Sequence, residues 1–179
     1  NELVDLETGN VIQRYAFFDF DMEASIFISF TPADETILFL VWGDESAYLM
    51  NVENGSIIRR FQHDGSSVTA ASLDVFCKFL LLWGDGFTVW DLETGQLLRS
   101  HENERATTDA VAVSSDGKYV MVGNRSLYDA VSGTKIESIL FPSGFYDVAF
   151  SPDSRYVLTS KESVDLWDLK TGALVRTFL

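Results

Sequence analysis

One phrase is written five times along this chain. It reads VDLETG to Gly9, MNVENG to Gly55, WDLETG to Gly95, YDAVSG to Gly133 and WDLKTG to Gly172, so the closing glycines lie 46, 40, 38 and 39 residues apart. A segment repeated at a fixed period marks a structural unit used several times, and a period near 40 with strand-like content belongs to stacked β-sheet units. The glycine has a physical reason. A tight turn between antiparallel strands needs a residue at positive φ, which glycine adopts without steric cost.

Between the glycines everything reads as β-structure. Each glycine is followed by a short apolar and basic run: NVIQRY, SIIRRF, QLLRS, TKIESIL and ALVRTF. A looser polar loop leads to an alternating strand, SIFISF (25–30), VTAASL (68–73), DAVAVS (109–114) or YDVAFS (146–151). A turn follows, plainest in SSDGK (114–118) and SPDSR (151–155), and then an apolar strand, TILFLVW, KFLLLW, KYVMVG or RYVLTS. β-branched and aromatic residues at period two, cut by Gly, Pro, Asp and Ser turns, give antiparallel strands. No helical periodicity competes with them. Each unit is therefore expected to be a four-stranded antiparallel sheet, with middle strands apolar on both faces because neighbouring sheets stack on them. The units fall at about 24–61, 68–100, 109–140 and 145–179, after a strand pair at 2–16 left from a preceding unit. Together they make one domain over 1–179.

At this point the chain resembles the WD-repeat β-propeller family. The carriers are Trp90-Asp91 and Trp167-Asp168, their variants Tyr128-Asp129 and Met50-Asn51, and the SPDS and SSDG turns. The resemblance covers nearly the whole chain and implies an all-β propeller with these units as blades. Family rings have about seven or eight blades of some 40 residues. Four blades and a strand pair are then an open arc or part of a larger propeller. The start inside a repeat phrase, without an initiator Met, reads as a piece of a longer or processed chain. Family members often carry Gly-His before a blade's first strand and build an Asp-His-Ser/Thr-Trp hydrogen-bond network. Here His63 and His101 lie in roughly that loop without a preceding glycine, and Asp85 in the GDG turn is the best candidate acid.

The resemblance implies a non-catalytic scaffold that holds a protein or peptide at one rim of the propeller. The rim residues would be Phe18, Phe20, Trp42, His63, Trp83, Arg105, Arg125 and Phe145, with Glu45, Asp85 and Phe141 beside them. Trp and Arg dominate interface energetics, although a Trp in such a fold also serves to wedge blades together. Two other readings stand beside this one. The blades are the sensing part of a larger signalling protein, such as a nucleotide-binding switch or a kinase, or they hold a small ligand in a central channel as an enzyme.

Charge narrows the partners. Thirteen Lys and Arg against 27 Asp and Glu give a net charge of -14, and the cations are scattered rather than clustered as phosphate-backbone binding requires. Nucleic acid and membrane surfaces are therefore not expected. A basic protein surface is compatible, as is self-association through open blade edges. The single cysteine, Cys77, excludes an internal disulfide and fits a reducing compartment such as the cytoplasm. Its expected role is that of a half-buried small hydrophobe.

Chemistry is sparse. Two histidines and one cysteine cannot form a thiolate or imidazole metal site of the usual spacing, and no cofactor is implied. His63 next to Asp64, with Ser66 and Ser67, sits in one short loop, whereas catalytic triads are assembled from separate segments. Asp19, Asp21 and Glu23 alternate in FFDFDME. Carboxylates suit calcium, but the same alternation describes a strand with one solvated face.

Overall fold

The regular elements among the described residues are all strands in the computed structural model, which describes residues 2–14, 26–31, 36–41, 45–63, 68–102, 110–123, 126–141 and 144–179. A half-sheet, β1 (Glu2–Val4) with β2 (Val11–Arg14), comes first. Sheet I is β3 (Ile26–Phe30), β4 (Thr36–Val41), β5 (Ser46–Asn51) and β6 (Ile57–Gln62). Sheet II is β7 (Ala70–Leu73), β8 (Phe79–Trp83), β9 (Gly86–Asp91) and β10 (Leu97–Glu102). Sheet III is β11 (Val111–Val113), β12 (Tyr119–Val122) and β13 (Ser126–Asp129). Sheet IV is β14 (Asp147–Phe150), β15 (Tyr156–Ser160), β16 (Val164–Asp168) and β17 (Ala173–Phe178). All pairs are antiparallel between sequence neighbours. No helix among the described residues is long and apolar enough to cross a membrane.

Sheet III departs from the expected four strands. Its outer run TKIESIL makes one bridge, Lys135 with Tyr128, through the Ile136 amide to the Leu127 carbonyl at 2.7 Å and the Asp129 amide to the Thr134 carbonyl at 2.9 Å. Packing explains the loss. Past Ile136 the chain leaves the sheet edge and drives Ile139 and Phe141 into the core shared with sheet IV, where both are buried and Phe141 meets Trp167 edge to face at 5.3 Å. Apolar burial there outweighs a few more solvent-exposed edge hydrogen bonds, each worth about 1 kcal/mol net.

The repeated phrase is a turn locked from within. The side-chain oxygen of Asp91 accepts the amide and the hydroxyl of Thr94, both at 2.7 Å, while the Gly95 amide donates to the Asp91 carbonyl at 2.9 Å. Asp5, Asn51, Asp129 and Asp168 cap their own turns through the amides two and three residues on. The closing glycines sit at φ of 68 to 75°. In four of the five turns a bulge follows. Trp90 pairs with Leu97 but Val89 with Arg99, so Leu98 is the extra residue; Ile12, Ile58 and Val175 are extra in the same way. This explains the doubled aliphatic that follows these four glycines, and its absence after Gly133.

These caps make a pH-dependent prediction. Amide donors, first that of Thr94, hold the Asp91 carboxyl below the ordinary carboxylate range, and Thr8 and Ser132 do the same for Asp5 and Asp129. A folded-state pKa below the unfolded one means stability that is present above about pH 4 and lost as pH falls through the depressed value. Asn51 shows that a neutral amide oxygen can make the same bonds. Asp91→Ala is therefore expected to cost about 1 kcal/mol near pH 7 and Asp91→Asn less, with the gap between Asp91 and Asn narrower near pH 3. Urea midpoints at the two pH values measure it.

The inner turns share a second device. Ser114 and Ser151 each accept the amide five residues on at 2.9 Å, and Asp74 does this work in sheet II through two amides at 2.6 Å. Cys77, Gly117 and Ser154 occupy one equivalent position at φ of 50, 68 and 57°. Cys77 is thus a turn residue packed against the core between sheets I and II, as half-buried as the sequence suggested. Burial, and then the Asp74 charge, push its thiol pKa up, which keeps it protonated and unreactive.

The cores lie at the joints. Ala47, Leu49 and Phe61 of sheet I meet Val68, Leu80 and Leu82; Phe79, Leu81 and Trp83 of sheet II meet Val111, Val120 and Tyr128; Met121 and Leu127 of sheet III meet Val148 and Val157. Every residue of β8 is buried, because both of its faces are covered. Each such Leu or Val contributes about 1.5–3 kcal/mol. Sheet IV buries one face only, and every residue of β17 is exposed.

Candidate interaction surface

Meander topology sends the turn after each second strand, and the connection between sheets, to one end of the molecule. That end is where the sequence put its binding rim. Of the eight rim residues, Phe18, Phe20, Trp42, Arg105 and Arg125 lie outside the described residues, as do Asp19, Asp21, Glu23, Asp64, Ser66 and Ser67. The three that are described turn inward. Trp83 is fully buried, stacked 6.4 Å from Phe87 and 6.3 Å from Tyr128. Phe145 is buried in the core between sheets III and IV, with its neighbour Phe141. His63 is buried as well. Large apolar rings at the sheet ends fill the joint rather than face water, since burial of each is worth several kcal/mol.

His63 is tied across a joint. It directly follows β6 of sheet I, its amide donates to the Glu45 carbonyl at 2.7 Å, and its Nδ1 lies 3.1 Å from the Thr88 hydroxyl on β9 of sheet II. The same hydroxyl accepts the Trp90 indole N–H at 3.0 Å. A His–Thr–Trp chain therefore links two sheets in the absence of the Gly-His dipeptide. In sheet IV the Trp167 indole donates instead to Thr159 on the adjacent strand, at 3.2 Å. Asp85 is exposed in the tight turn between β8 and β9. His101 does different work. Its Nε2 lies 3.2 Å from the Ala130 carbonyl and its ring packs 5.2 Å from Phe87. Held this way, both histidines act as structural ties between sheets.

Two residues that the sequence reading passed over stand out at the same end. Leu140 is 87% and Tyr146 76% exposed, and each is adjacent in sequence to a buried anchor, Phe141 or Phe145. The Tyr146 amide donates to the Ser160 carbonyl at 2.7 Å, which fixes the backbone beneath it. The available signal was chemical: in Phe145-Tyr146 the phenol is the ring that tolerates water, so it is the one to leave outside. The described charges at this end are mostly acidic, with Glu45, Asp85, Asp147 and Glu162 exposed beside Lys161. The opposite end carries an exposed pair, Val75 and Phe76, in the turn between β7 and β8. Among the described residues no three His, Cys, Asp or Glu gather where they could hold a metal ion.

No protein-family model and no curated protein matches the chain. Among solved structures, 1143 chains match, and a fold shared so widely does not by itself carry an activity. One of them is hydrazine synthase of Kuenenia stuttgartiensis, with a TM-score of 0.63 and 17% identity over 93% of this chain and 52% of that one. The chain thus spans about half the length of that neighbour. At this identity the likeness is one of fold: an all-β architecture of successive antiparallel sheets, without helices among the described residues.

Proposed function

We propose that the chain is a WD-repeat-like β-propeller segment, its sheets acting as blades, and that it serves as a non-catalytic scaffold for a protein or peptide of basic character. The observation that carries this reading is the pair Leu140 and Tyr146, exposed at the loop end above a core that fixes the backbone on either side. An exposed Tyr on a fixed backbone is a residue type that binding hot spots favour. The acidic groups around it favour a basic partner and speed its approach. Among the described residues, His63 is tied to Thr88 and the Cys77 thiol is kept protonated.

The test is selection of displayed peptides on the purified chain. Enriched peptides should carry net positive charge, and Tyr146→Ala should weaken them at least about tenfold while leaving the melting temperature in place, since the side chain is mostly in water. Binding indifferent to both Tyr146→Ala and Leu140→Ser would remove this surface from consideration. Turnover traced to residues of these sheets would end the scaffold reading altogether.

A further inference from the structure

The five turns follow one plan, but one of them carries a reactive pair. The residue before the closing glycine is Thr8, Thr94, Ser132 or Thr171 in four phrases and Asn54 in the fifth. In the turns of Asp5, Asp91 and Asp129 its hydroxyl donates to the turn's own carboxylate, at 2.7 to 3.0 Å. The Asn54 side chain looks forward: its carbonyl oxygen Oδ1 accepts the Ser56 amide at 2.9 Å. Asn54 is exposed at the edge between β5 and β6.

Of the six asparagines only Asn54 precedes a glycine, whereas Asn10 and Asn51 precede the branched Val11 and Val52. That matters because a side-chain amide can be attacked by the main-chain nitrogen of the next residue, and a Cβ there crowds the approach. Glycine has none. The Ser56 amide adds a second favourable feature. It lies at the distance of an oxyanion-hole donor, so it polarises the Asn54 carbonyl and stabilises the negative oxygen that attack creates. One feature of the turn opposes the reaction. The Gly55 amide donates to the Asn51 carbonyl at 3.0 Å and must leave it first, which slows the step about fivefold.

We propose that Asn54 is a self-modification site, where the folded chain converts its own asparagine to aspartate and isoaspartate. The Gly55 nitrogen gives its proton to hydroxide and bonds to the Asn54 Cγ. The Cγ–Nδ2 bond then breaks, and Nδ2 takes a proton from water and leaves as ammonia. Water opens the resulting succinimide ring at either carbonyl. Opening one way gives aspartate, which keeps an oxygen for the Ser56 amide. Opening the other way gives isoaspartate, which adds a carbon to the main chain inside the turn. The bonds that close the turn, Gly55 to Asn51 and Asn51 to Ser56, span that point. Just beyond lies Arg59, whose Nη1 donates to the carbonyls of Leu92 at 2.9 Å and Glu93 at 2.6 Å in sheet II. Isoaspartate therefore loosens the joint between sheets I and II, and aspartate does not.

Ageing the purified chain at mildly alkaline pH tests this, with ion exchange to detect the added negative charge and peptide mass mapping to place it. Asn54 should convert while Asn10 and Asn51 stay intact, at a rate within about tenfold of that in a short peptide of the same phrase. Part of the product should resist a protease that cuts before aspartate, as isoaspartate does. Asn54→Thr, which restores the residue of the other turns, should abolish the acidic species and leave the urea midpoint in place. Asn54→Asp should keep that midpoint too, whereas the isoaspartate fraction should unfold at lower urea. Conversion about 1000-fold slower than in the peptide, as for a site that reacts only after global unfolding, overturns the proposal. Equal conversion at the exposed Asn10 overturns it as well. Neither result bears on the peptide-binding reading, whose residues lie elsewhere.

Discussion

Trp83→Ala is expected to cost about 3–5 kcal/mol, which is a large share of the 5–15 kcal/mol that holds a domain of this kind together. The indole is fully buried where sheets II and III meet, with Phe87 stacked on one side and Tyr128 tilted on another. Removing it opens a cavity walled by β-sheet, which cannot collapse because the strands are fixed by their ladders. Trp83→Phe should cost less, since a ring still fills part of the space. A urea denaturation series reads both. A Trp83→Ala midpoint within about 0.5 kcal/mol of the parent would mean that the side chain faces water and that the joint is not packed as described.

Gly133→Ala comes next, with Gly9→Ala as its control. Both glycines sit in the same turn at nearly the same backbone angle, φ of 71° and 70°. At either, alanine in the left-handed region costs about 1–2 kcal/mol, part of which is returned by a stiffer unfolded chain. They differ in what surrounds them. A methyl group on Gly133 would run into the His101 ring, which is held by the Ala130 carbonyl and by Phe87, whereas at Gly9 the space is open. Overpacking adds about 1–3 kcal/mol. Gly133→Ala should therefore destabilise by about 2–4 kcal/mol and Gly9→Ala by about 1 kcal/mol, measured by urea denaturation. Equal losses would mean that positive φ alone explains the glycines and that the sheet-to-sheet contact over Gly133 is not formed.

Most strands were legible residue by residue. SIFISF, KFLLLW, KYVMVG and RYVLTS fall on β3, β8, β12 and β15 with ends shifted by two residues at most. The reason is local. Period-two alternation and the Asp/Asn-to-Gly turns are properties of five or six neighbouring residues, and the turn's hydrogen bonds close within the phrase itself. DVFCK was not legible as a third copy of SSDGK and SPDSR, because Asp74 replaces the serine and Cys77 the glycine. The geometry is conserved between the turns while the letters are not.

The site was less legible, and for a different reason. Trp83, His63 and Phe145 were placed on a rim because of where they fall relative to strand ends, and each lies within two residues of one. Whether a residue at a strand end points to water or into the joint depends on the neighbouring sheet, some 40 positions away in the chain. Phe141 and Phe145 went in, and Leu140 and Tyr146, one residue away from each, stayed out. The His63–Thr88–Trp90 chain likewise joins two units that local pattern treats separately. The incomplete outer edge of sheet III has the same origin, because Ile139 and Phe141 answer to sheet IV rather than to their own ladder.

By itself, then, the sequence determined the repeat, the strands, the capped turns and the glycines at positive φ, all of which follow from interactions a few residues long. Only the tertiary structure decided which aromatic ring is core and which is surface, which side chain lies over a turn glycine, and how far the outer edge of sheet III pairs. Those outcomes depend on what the next sheet brings to the joint, and covering an apolar face is a property of the pair of sheets rather than of either one.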